Sequence, residues 1–540
     1  MALGVFLGLN QGKVVTIANR RDIWRIRVTH ENLAALAEGA FDRLGDYENL
    51  IFEGRSYSSG ELLERARRAG SGLTKLGVEP GNRVVVLMAN CPEVAITYNA
   101  IWRAGAVVTP VVFLISPPEL THILADSGAV AVVTSPELLG TVSAAAADAP
   151  ALRFVIVAGG AHEPGVWPAH VREVNFADVE AAPPGELTAV GGDDLAALMY
   201  TGGTTGRAKG VMLSHRSLYA CSASSYAASQ EEGITRNITP LPLSHAYGLI
   251  VTLASYHATE PAMAVLQRWF DPADFLTLAA HHRIERTVLV PAMIQMLLAQ
   301  PLEHFDLSAL RYVNSGAAPL AAETREQWER RVPGSEILEG YGCTESGAVI
   351  SVSKSGATKP GSVGRPIPGY EVAILDDCDA AQPAGTDGEI CVRSAGVMAG
   401  YWKSPEESAT TLRGGWLHTG DIGHLDADGY LYVVDRKKDL IIRGGFNVYP
   451  RDVEDVLLEH PAVAMAGVVG RPDKRLGEEV VAFVSLRPGG QATPQEVVEF
   501  AKGRLAANKY PREVTILEAI PLTSVGKLDR KALRTQVTAG

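Results

Sequence analysis

Apolar and polar positions follow two alternating patterns through the first part of the chain. From about Leu50 to Leu298, short apolar runs typical of buried strands alternate with longer amphipathic stretches typical of helices. One such stretch, Glu61 to Leu76, predicts a helix whose inward face carries Leu62, Ala66, Ala69 and Leu73. The strands predicted around it are Arg83–Met88, Ala106–Pro110, Ala129–Thr134, Phe154–Val157 and Leu195–Met199. Alternation of this kind predicts parallel sheets covered by helices.

The pattern changes beyond residue 360. Short strands at Val372–Leu375 and Gly388–Arg393 lie between Gly, Asp and Pro turns, which predicts a small antiparallel β unit. A boundary is predicted near Asp435–Asp439, followed by a self-contained stretch of about 100 residues. Within that stretch Thr493-Pro-Gln-Glu496 is a capping box, and the helix that it starts would carry inward Val497, Phe500, Ala501 and Leu505.

Length and charge narrow the class of protein. A chain of 540 residues exceeds one ordinary hydrophobic core, so two or more packed units are expected. The net charge of −12 argues against nucleic acid or an anionic membrane as a partner. No apolar run reaches the roughly 18 residues of a membrane span, and Met1–Leu9 lacks the flanking signals of a signal peptide. Five scattered cysteines without a CxxC pair predict reduced thiols in a cytoplasmic protein.

The first candidate for chemistry is the loop Tyr200–Gly210, which follows a predicted strand. Its eleven residues hold four glycines, three threonines and two cations, Arg207 and Lys209. Glycines let backbone N–H groups crowd against an anion, and the hydroxyls and cations add donors and charge. A flexible hairpin would not explain this concentration of donors. The loop is not a Walker A motif, because Gly206 is followed by Arg207 rather than Lys, which disfavours a P-loop NTPase.

The loop instead resembles the signature of the adenylate-forming superfamily, which includes acyl-CoA synthetases, firefly luciferase and the adenylation domains of peptide synthetases. Further motifs similar to those of this family follow in the family's order over roughly residues 30 to 535. The form of these motifs is closest to fatty-acyl- or aryl-acid–CoA ligases. From this loop the resemblance assigns to ATP binding Thr201, Gly202, Gly203, Thr204, Thr205, Gly206 and Lys209.

Two downstream motifs carry the adenine and metal roles that the resemblance implies. Glu339–Ser346 is similar to the family's Y-G-x-T-E element, in which the tyrosine stacks on adenine, the threonine contacts the α-phosphate and the glutamate holds Mg²⁺. These roles fall to Tyr341, Thr344 and Glu345, and Mg²⁺ does favour a carboxylate shared with substrate phosphates. The resemblance implies further nucleotide contacts. They are Ala317 and Ala318, which precede this motif in the sequence, and Gly340, Gly342 and Cys343 within it.

The last motifs concern the ribose, a hinge and a mobile domain. By resemblance, Asp421 accepts hydrogen bonds from the ribose diol, and Arg436 also reaches the nucleotide. Lys438 corresponds to the inter-domain pivot, and Lys527, in the C-terminal segment Pro521–Arg530, corresponds to the catalytic lysine. The Gly444-Gly445 turn would line the tunnel for coenzyme A.

The motif that indicates the acyl site is the least specific of the motifs in this chain. Pro242–Gly248 resembles the element whose aromatic residue gates the acyl pocket, which gives His245 that position. The rest of the predicted pocket lining is Val290, Ala292, Ser315 and Gly316. These residues permit a medium, long, aromatic or polycyclic acid.

Together the resemblance implies an α/β fold with two doubly wound units plus a β unit in residues 1–437, and a small mobile α+β domain in residues 438–540. ATP, Mg²⁺ and coenzyme A are the expected cofactors, and a small-molecule carboxylic acid is the expected substrate. The acid would attack the α-phosphorus of ATP and expel pyrophosphate, and a thiol would then attack the acyl-adenylate after rotation about Lys438. The active unit would be a monomer or a homodimer.

Several alternatives stay open at this point. The acceptor thiol could belong to a carrier protein rather than coenzyme A, or a partner enzyme could take the adenylate. A kinase would produce ADP rather than AMP, and a nucleotide-binding module without activity would need neither Lys527 nor Glu345. A hydrolase is disfavoured because no GxSxG elbow occurs.

Overall fold

The structure is a computed structural model that describes residues 9–10, 13–14, 32–160, 162–201, 208–523 and 528–538. Leu9–Asn10 and Lys13–Val14 form a two-stranded antiparallel ladder, and four larger sheets of eight, nine, four and five strands build the rest. No helix in these ranges has both the length and the apolar character that crossing a membrane requires.

The first sheet has eight strands, and its six consecutive parallel strands confirm the predicted alternation. The central strands, such as Ala131–Thr134 and Phe154–Val157, are runs of apolar residues with little or no exposed face, as expected for strands covered on both sides, whereas the edge strand Arg172–Asn175 is polar and partly exposed. In spatial order the strands are Gly400–Tyr401, Lys209–Ser214, Leu195–Thr201, Val107–Pro110, Arg83–Leu87, Ala131–Thr134, Phe154–Val157 and Arg172–Asn175.

Helices cover this sheet: Ala34–Leu44, Ser59–Lys75, Pro92–Arg103, Pro117–Ser127, Leu139–Ala146 and Phe176–Glu180. The predicted helix at Glu61–Leu76 begins two residues earlier, because Ser58 caps it by accepting a hydrogen bond from Glu61 N–H. Its buried face contains Ala66, Ala69 and Leu73 as expected. Leu62 packs against the same core but is only half-buried, at the edge of this face, and Leu63 is buried beside it.

The second sheet has nine strands, of which six consecutive ones are parallel. In spatial order they are Arg365–Pro366, Ser351–Val352, Glu336–Tyr341, Tyr312–Ser315, Arg286–Leu289, Arg236–Thr239, Met263–Leu266, Glu48–Phe52 and Arg55–Ser58. One face packs on Pro272–His281, Pro291–Leu298 and Ala322–Arg331. The helices His215–Ser229 and Ala246–Ser255 pack in a core shared with the first sheet, so both α/β units are doubly wound as predicted.

The third sheet is small and wholly antiparallel, which confirms the predicted β unit. Its strands are Glu371–Leu375, Gly388–Arg393, Leu417–Leu425 and Leu431–Arg436. The helix Pro405–Thr411 lies beside it. Single 3₁₀ turns occur at Pro136–Leu138, Leu302–His304, Thr344–Ser346 and Arg413–Gly415.

The C-terminal sheet has its own hydrophobic core. Its strands are Ile441–Arg443, Phe446–Val448, Val463–Asp473, Gly477–Leu486 and Glu513–Leu517, and its helices are Pro450–Leu458, Pro494–Lys502 and Arg530–Thr538. The capping box at Thr493 and Glu496 is present, with both reciprocal hydrogen bonds. Val497 and Ala501 are buried as predicted, whereas Phe500 is only half-buried, because its ring packs edge-on against His460 under the Arg504 guanidinium.

Candidate active site

A cleft of about 310 Å³ opens where the third sheet meets the following turn, lined by Thr419, Gly420, Asp421, Arg436, Lys437 and Lys438. Asp421 is buried, and both of its oxygens are engaged. Oδ2 accepts a 2.6 Å hydrogen bond from the Tyr341 hydroxyl, and Oδ1 lies 3.2 Å from Arg436 Nε. The structure therefore brings together three side chains that the sequence motifs identified separately.

The Asp421 carboxylate lies between a phenol and a cation, and it shifts the pKa of both neighbours. Burial raises the pKa of Tyr341, as does the negative charge of Asp421, so the phenol remains a hydrogen-bond donor at neutral pH. The same carboxylate raises the pKa of Arg436, which more than offsets the effect of burial on that guanidinium. Asp421 and Arg436 are also direct cross-strand partners in the third sheet.

The turn that carries Asp421 is held by Glu389, a residue that the sequence analysis did not identify. Glu389 Oε1 accepts a hydrogen bond from Gly420 N–H at 3.1 Å, and Oε2 lies 3.3 Å from His418 Nδ1 and 3.4 Å from Lys437 Nζ. Gly420 has a φ of 72°, a conformation that favours glycine. Only the pairing of Gly388–Arg393 with Leu417–Leu425 brings Glu389 under this turn, so no local signal could have identified it.

The Tyr341–Ser346 segment reverses tightly after its strand. A Cβ at Gly342 would stand 1.9 Å from the Ala348 carbonyl oxygen, so only glycine fits there. The 3₁₀ turn Thr344–Ser346 follows and presents Glu345, whose Oε1 accepts a 3.0 Å hydrogen bond from the Tyr401 hydroxyl. A carboxylate with one oxygen on a phenol has a second oxygen for a cation, and a hard oxygen ligand suits Mg²⁺. Glu345 thus fits the metal role that its motif implies.

Tyr401 also links Glu345 to Lys209. The Lys209 ammonium lies 5.6 Å from the centroid of the Tyr401 ring and forms an ion pair with Glu407. Tyr401 reaches this position because the short edge strand Gly400–Tyr401 pairs with the strand that begins at Lys209. Tyr401 and Glu407 were missed by the sequence analysis, since a two-residue edge strand carries no periodic signal.

The glycine- and threonine-rich loop is described only at its two ends. Thr201 and Lys209 are cross-strand partners, and so are Tyr200 and Gly210, so the two strands that flank the loop are antiparallel neighbours in the first sheet. The predicted phosphate contacts Gly202, Gly203, Thr204, Thr205 and Gly206 lie outside the described residues, as does Arg207.

The stretch that follows the strand Tyr312–Ser315 lies beside Tyr341. A Cβ at Gly316 would stand 2.9 Å from the Gly340 carbonyl oxygen, and Ala317 has a φ of 68°. Ser315 is buried, and its Oγ has no hydrogen-bond partner among the described residues. Ala318 is half-buried next to it, and Cys343 is half-buried across the neighbouring strand end.

The predicted acyl-pocket residues begin two helices of the second sheet. His245 is the N-cap of Ala246–Ser255, and its Nδ1 accepts a 3.4 Å hydrogen bond from Tyr247 N–H. Val290 is the N-cap of Pro291–Leu298, whose second residue is Ala292. Both helices start at the carboxyl ends of parallel strands, the edge at which ligands bind in open α/β sheets.

Lys438 lies in the turn between the third and the C-terminal sheets, where Asp439 N–H donates to the Arg436 carbonyl at 3.0 Å. Burial lowers the pKa of Lys438, and the charge of Arg436 lowers it further. Gly444 and Gly445 have φ values of 61° and 83°, and a Cβ at Gly445 would meet nothing within 4 Å. A Cβ at Gly444 would lie 3.4 Å from Leu476 Cδ2, and the predicted role of this turn in a tunnel for coenzyme A stays a prediction. Lys527 lies outside the described residues.

Comparisons with known proteins agree with this site. The family model for AMP-binding enzymes matches residues 37–402, and the model for the AMP-binding enzyme C-terminal domain matches residues 452–527. The chain is 33% identical to a long-chain-fatty-acid–CoA ligase of Bacillus subtilis, covering 94% of this chain and 95% of that protein. It is 35% identical to 4-coumarate–CoA ligase 5 of rice, Oryza sativa subsp. japonica, with coverages of 94% and 95%.

Among solved structures, the fold matches that of an anthranilate CoA ligase in complex with anthranoyl-AMP. The TM-score is 0.86 at 26% identity, covering 94% of this chain and 97% of that one. The chain belongs to the AMP-binding enzyme family, and it is an AMP-forming acid–thiol ligase that uses ATP, Mg²⁺ and coenzyme A to convert a carboxylic acid through an acyl-adenylate into a thioester.

Proposed function

We propose that the cleft around Asp421 is the nucleotide site of this ligase, and that the acid it activates has an apolar fatty-acyl or aryl body. The observation that supports the nucleotide site is the joint engagement of Asp421 by Tyr341 and Arg436 beside Glu345. The support for the acid comes from the similarity to ligases for long-chain fatty acids and for 4-coumarate.

In the first half-reaction the substrate carboxylate needs no protein nucleophile, because it is already ionised at pH 7. The protein has to align two anions and reduce their repulsion. We assign ribose binding to Asp421, adenine stacking to Tyr341 and α-phosphate contact to Thr344. The donors of Thr201–Gly206 and Lys209 would hold the departing pyrophosphate. Mg²⁺, held by Glu345, would supply positive charge to the phosphates.

We assign the catalytic cation of this step to Lys527 and the domain boundary to residues 437 and 438. The C-terminal domain would turn about Lys438 after adenylation, withdrawing Lys527 and carrying Gly444 and Gly445 to the cleft for thiol entry. The open space around Gly445 in the described arrangement is consistent with a turn that has yet to dock. Such closure would exclude water from the hydrolysable adenylate.

We further propose that the enzyme acts in the cytoplasm as a monomer or homodimer. The five free cysteines support the compartment.

A pyrophosphate-release screen tests this function. Carboxylic acids of fatty, hydroxycinnamic and benzoic type would be offered with ATP and Mg²⁺, with and without coenzyme A. At least one acid should release pyrophosphate and AMP, and thioester should form only when coenzyme A is present. Release of ADP, or of pyrophosphate equally without any acid, would contradict the proposal.

A further inference from the structure

A buried cation in the second sheet takes no part in the site described above. Arg286 begins the strand Arg286–Leu289, and its Nε and Nη2 atoms are buried without a hydrogen-bond partner among the described residues. A guanidinium cannot shed its charge at neutral pH, so two unpaired N–H groups in the interior are unfavourable unless a ligand satisfies them.

The surroundings of Arg286 are aromatic rather than acidic. Its guanidinium lies 5.4 Å from the centroid of the Tyr312 ring, and Tyr247 and Tyr226 are close enough to act on it electrostatically. Glu231 is the one acid whose charge acts on Arg286 among the described residues, but the two form no ion pair there. The Arg286 guanidinium therefore lies among phenol rings, and its edge formed by Nε and Nη2 has no hydrogen-bond partner among the described residues.

Arg286 lies on the same side of the sheet as the predicted acyl pocket. Side chains alternate along a strand, so Arg286, Val288 and Val290 share one face, and four residues span about 13 Å. The opposite face, with Leu289 and Val313, packs into the core under the outer helices.

The helix Ala246–Ser255 brings Tyr247 to the Arg286 side of the sheet. Tyr247 follows the predicted gate His245 by two residues. Tyr247 and Arg286 are both half-buried, and the Arg286 Nε and Nη2 atoms themselves are fully enclosed by protein.

We propose that Arg286 closes the far end of the acyl pocket and recognises a second carboxylate, so that the preferred substrates are dicarboxylic acids. This inference rests on the proposed acyl site. Nε and Nη2 form the edge of a guanidinium that binds a carboxylate through two parallel hydrogen bonds, and both of these atoms are unpartnered. A monocarboxylic acid of the same length would leave them unpaired.

The test compares matched acids. Pyrophosphate release with ATP, Mg²⁺ and coenzyme A would be measured for dicarboxylic acids from short to long, each against the monocarboxylic acid of equal carbon number. The wild-type kcat/KM should favour at least one diacid by about 100-fold or more. Arg286→Leu should lose that preference while keeping or raising the rate with the monoacid. Arg286→Lys retains the positive charge but lacks the two parallel N–H donors of the guanidinium, so it should keep only part of the preference for the diacid.

Arg311→Leu is the matched control, because the exposed Arg311 guanidinium lies 5.7 Å from the same Tyr312 ring. It should leave the preference unchanged. Better use of monoacids by the wild type, or an equal effect of Arg286→Leu on both acids of a pair, would overturn the inference and leave the ligase function standing. Absence of pyrophosphate release with every acid would instead reject the proposed function, and this inference with it.

Discussion

Arg530 Nη2 donates hydrogen bonds to both carboxylate oxygens of Glu454, each 2.7 Å long, inside the C-terminal domain. Glu454 Oε1 also accepts from Val468 N–H at 2.8 Å. Arg530 begins the last helix, three residues after Lys527 in the sequence. The pair therefore anchors one end of the segment that contains the proposed catalytic lysine.

Glu454→Ala should destabilise the protein by about 3–5 kcal/mol, because it leaves a largely buried guanidinium without its partner. Glu454→Gln keeps the shape and should lower the rate of acyl-adenylate formation more than the rate of thioester formation from supplied acyl-AMP. Urea unfolding and the two half-reaction assays would measure these effects. The control is Glu513→Gln, which breaks the exposed pair with Arg471 and should change stability by at most about 1 kcal/mol. Equal effects of Glu454→Gln and Glu513→Gln would contradict an anchoring role.

Lys527→Ala should abolish acyl-AMP formation and spare thioester formation from supplied acyl-AMP, because the proposed cation serves only the first half-reaction. Each half-reaction can be followed separately, by pyrophosphate release and by thioester absorbance. Lys531→Ala, on an exposed side chain in the next helix, is the control and should affect neither. Loss of both half-reactions in a folded Lys527→Ala protein would refute the assignment.

Lys438→Pro should retain adenylation and slow thioester formation. Lys438 is the third residue of the turn between the third and C-terminal sheets, and proline there restricts the backbone rotation that a hinge needs. Lys438→Ala removes the ammonium and keeps the rotation, so it separates the role of the backbone from that of the charge lining the cleft. If both variants slowed thioester formation equally, the hinge assignment would be wrong.

Asp421→Ala should raise the KM for ATP roughly tenfold or more, since hydrogen bonds to a charged group contribute about 1.5–3 kcal/mol each. Tyr341→Phe removes only the 2.6 Å hydrogen bond to Asp421 and retains the ring, so a smaller rise is expected. Asp428→Ala, at an exposed acid of the same sheet region, should leave the KM unchanged. Steady-state kinetics at saturating acid and coenzyme A would measure all three.

Stability should fall as the pH decreases from 6.5 to 4. Burial lowers the pKa of His215 to about 4, and its Nδ1 accepts a hydrogen bond from Leu33 N–H, which requires the neutral ring. The folded pKa lies below the unfolded value of about 6.5, so the stabilisation is complete above 6.5 and is lost as the pH falls through the folded value. His215→Asn retains an acceptor without titrating, and its unfolding free energy should depend less on pH over this window. An unchanged pH dependence in that variant would exclude His215 as the cause.

Much of the fold was predictable from local pattern. Burial on both faces produces uninterrupted apolar runs, so a strand such as Phe154–Val157 has the predicted bounds, and Gly388–Arg393 also has them because turn residues precede and follow it. Helix ends were less predictable, because capping by a residue such as Ser58 depends on a single hydrogen bond rather than on periodicity. The position of Phe500 was misjudged because a neighbour from another part of the chain, His460, decides the edge of that buried face.

The sequence alone determined the chemistry of this protein. Glycines, hydroxyls, cations and carboxylates occur in short motifs that indicate anion binding, and the resemblance of these motifs to those of the adenylate-forming superfamily implies the ligase chemistry. Tertiary structure alone decided which side chains meet. Tyr341 reaches Asp421 across 80 residues, Tyr401 reaches Glu345 across 56, and Nε and Nη2 of Arg286 have no hydrogen-bond partner among the residues that the structure describes. The order of the strands in each sheet and their register decide which side chains are in contact and which have no partner. Strand order and register depend on the packing of the whole chain rather than on any local pattern.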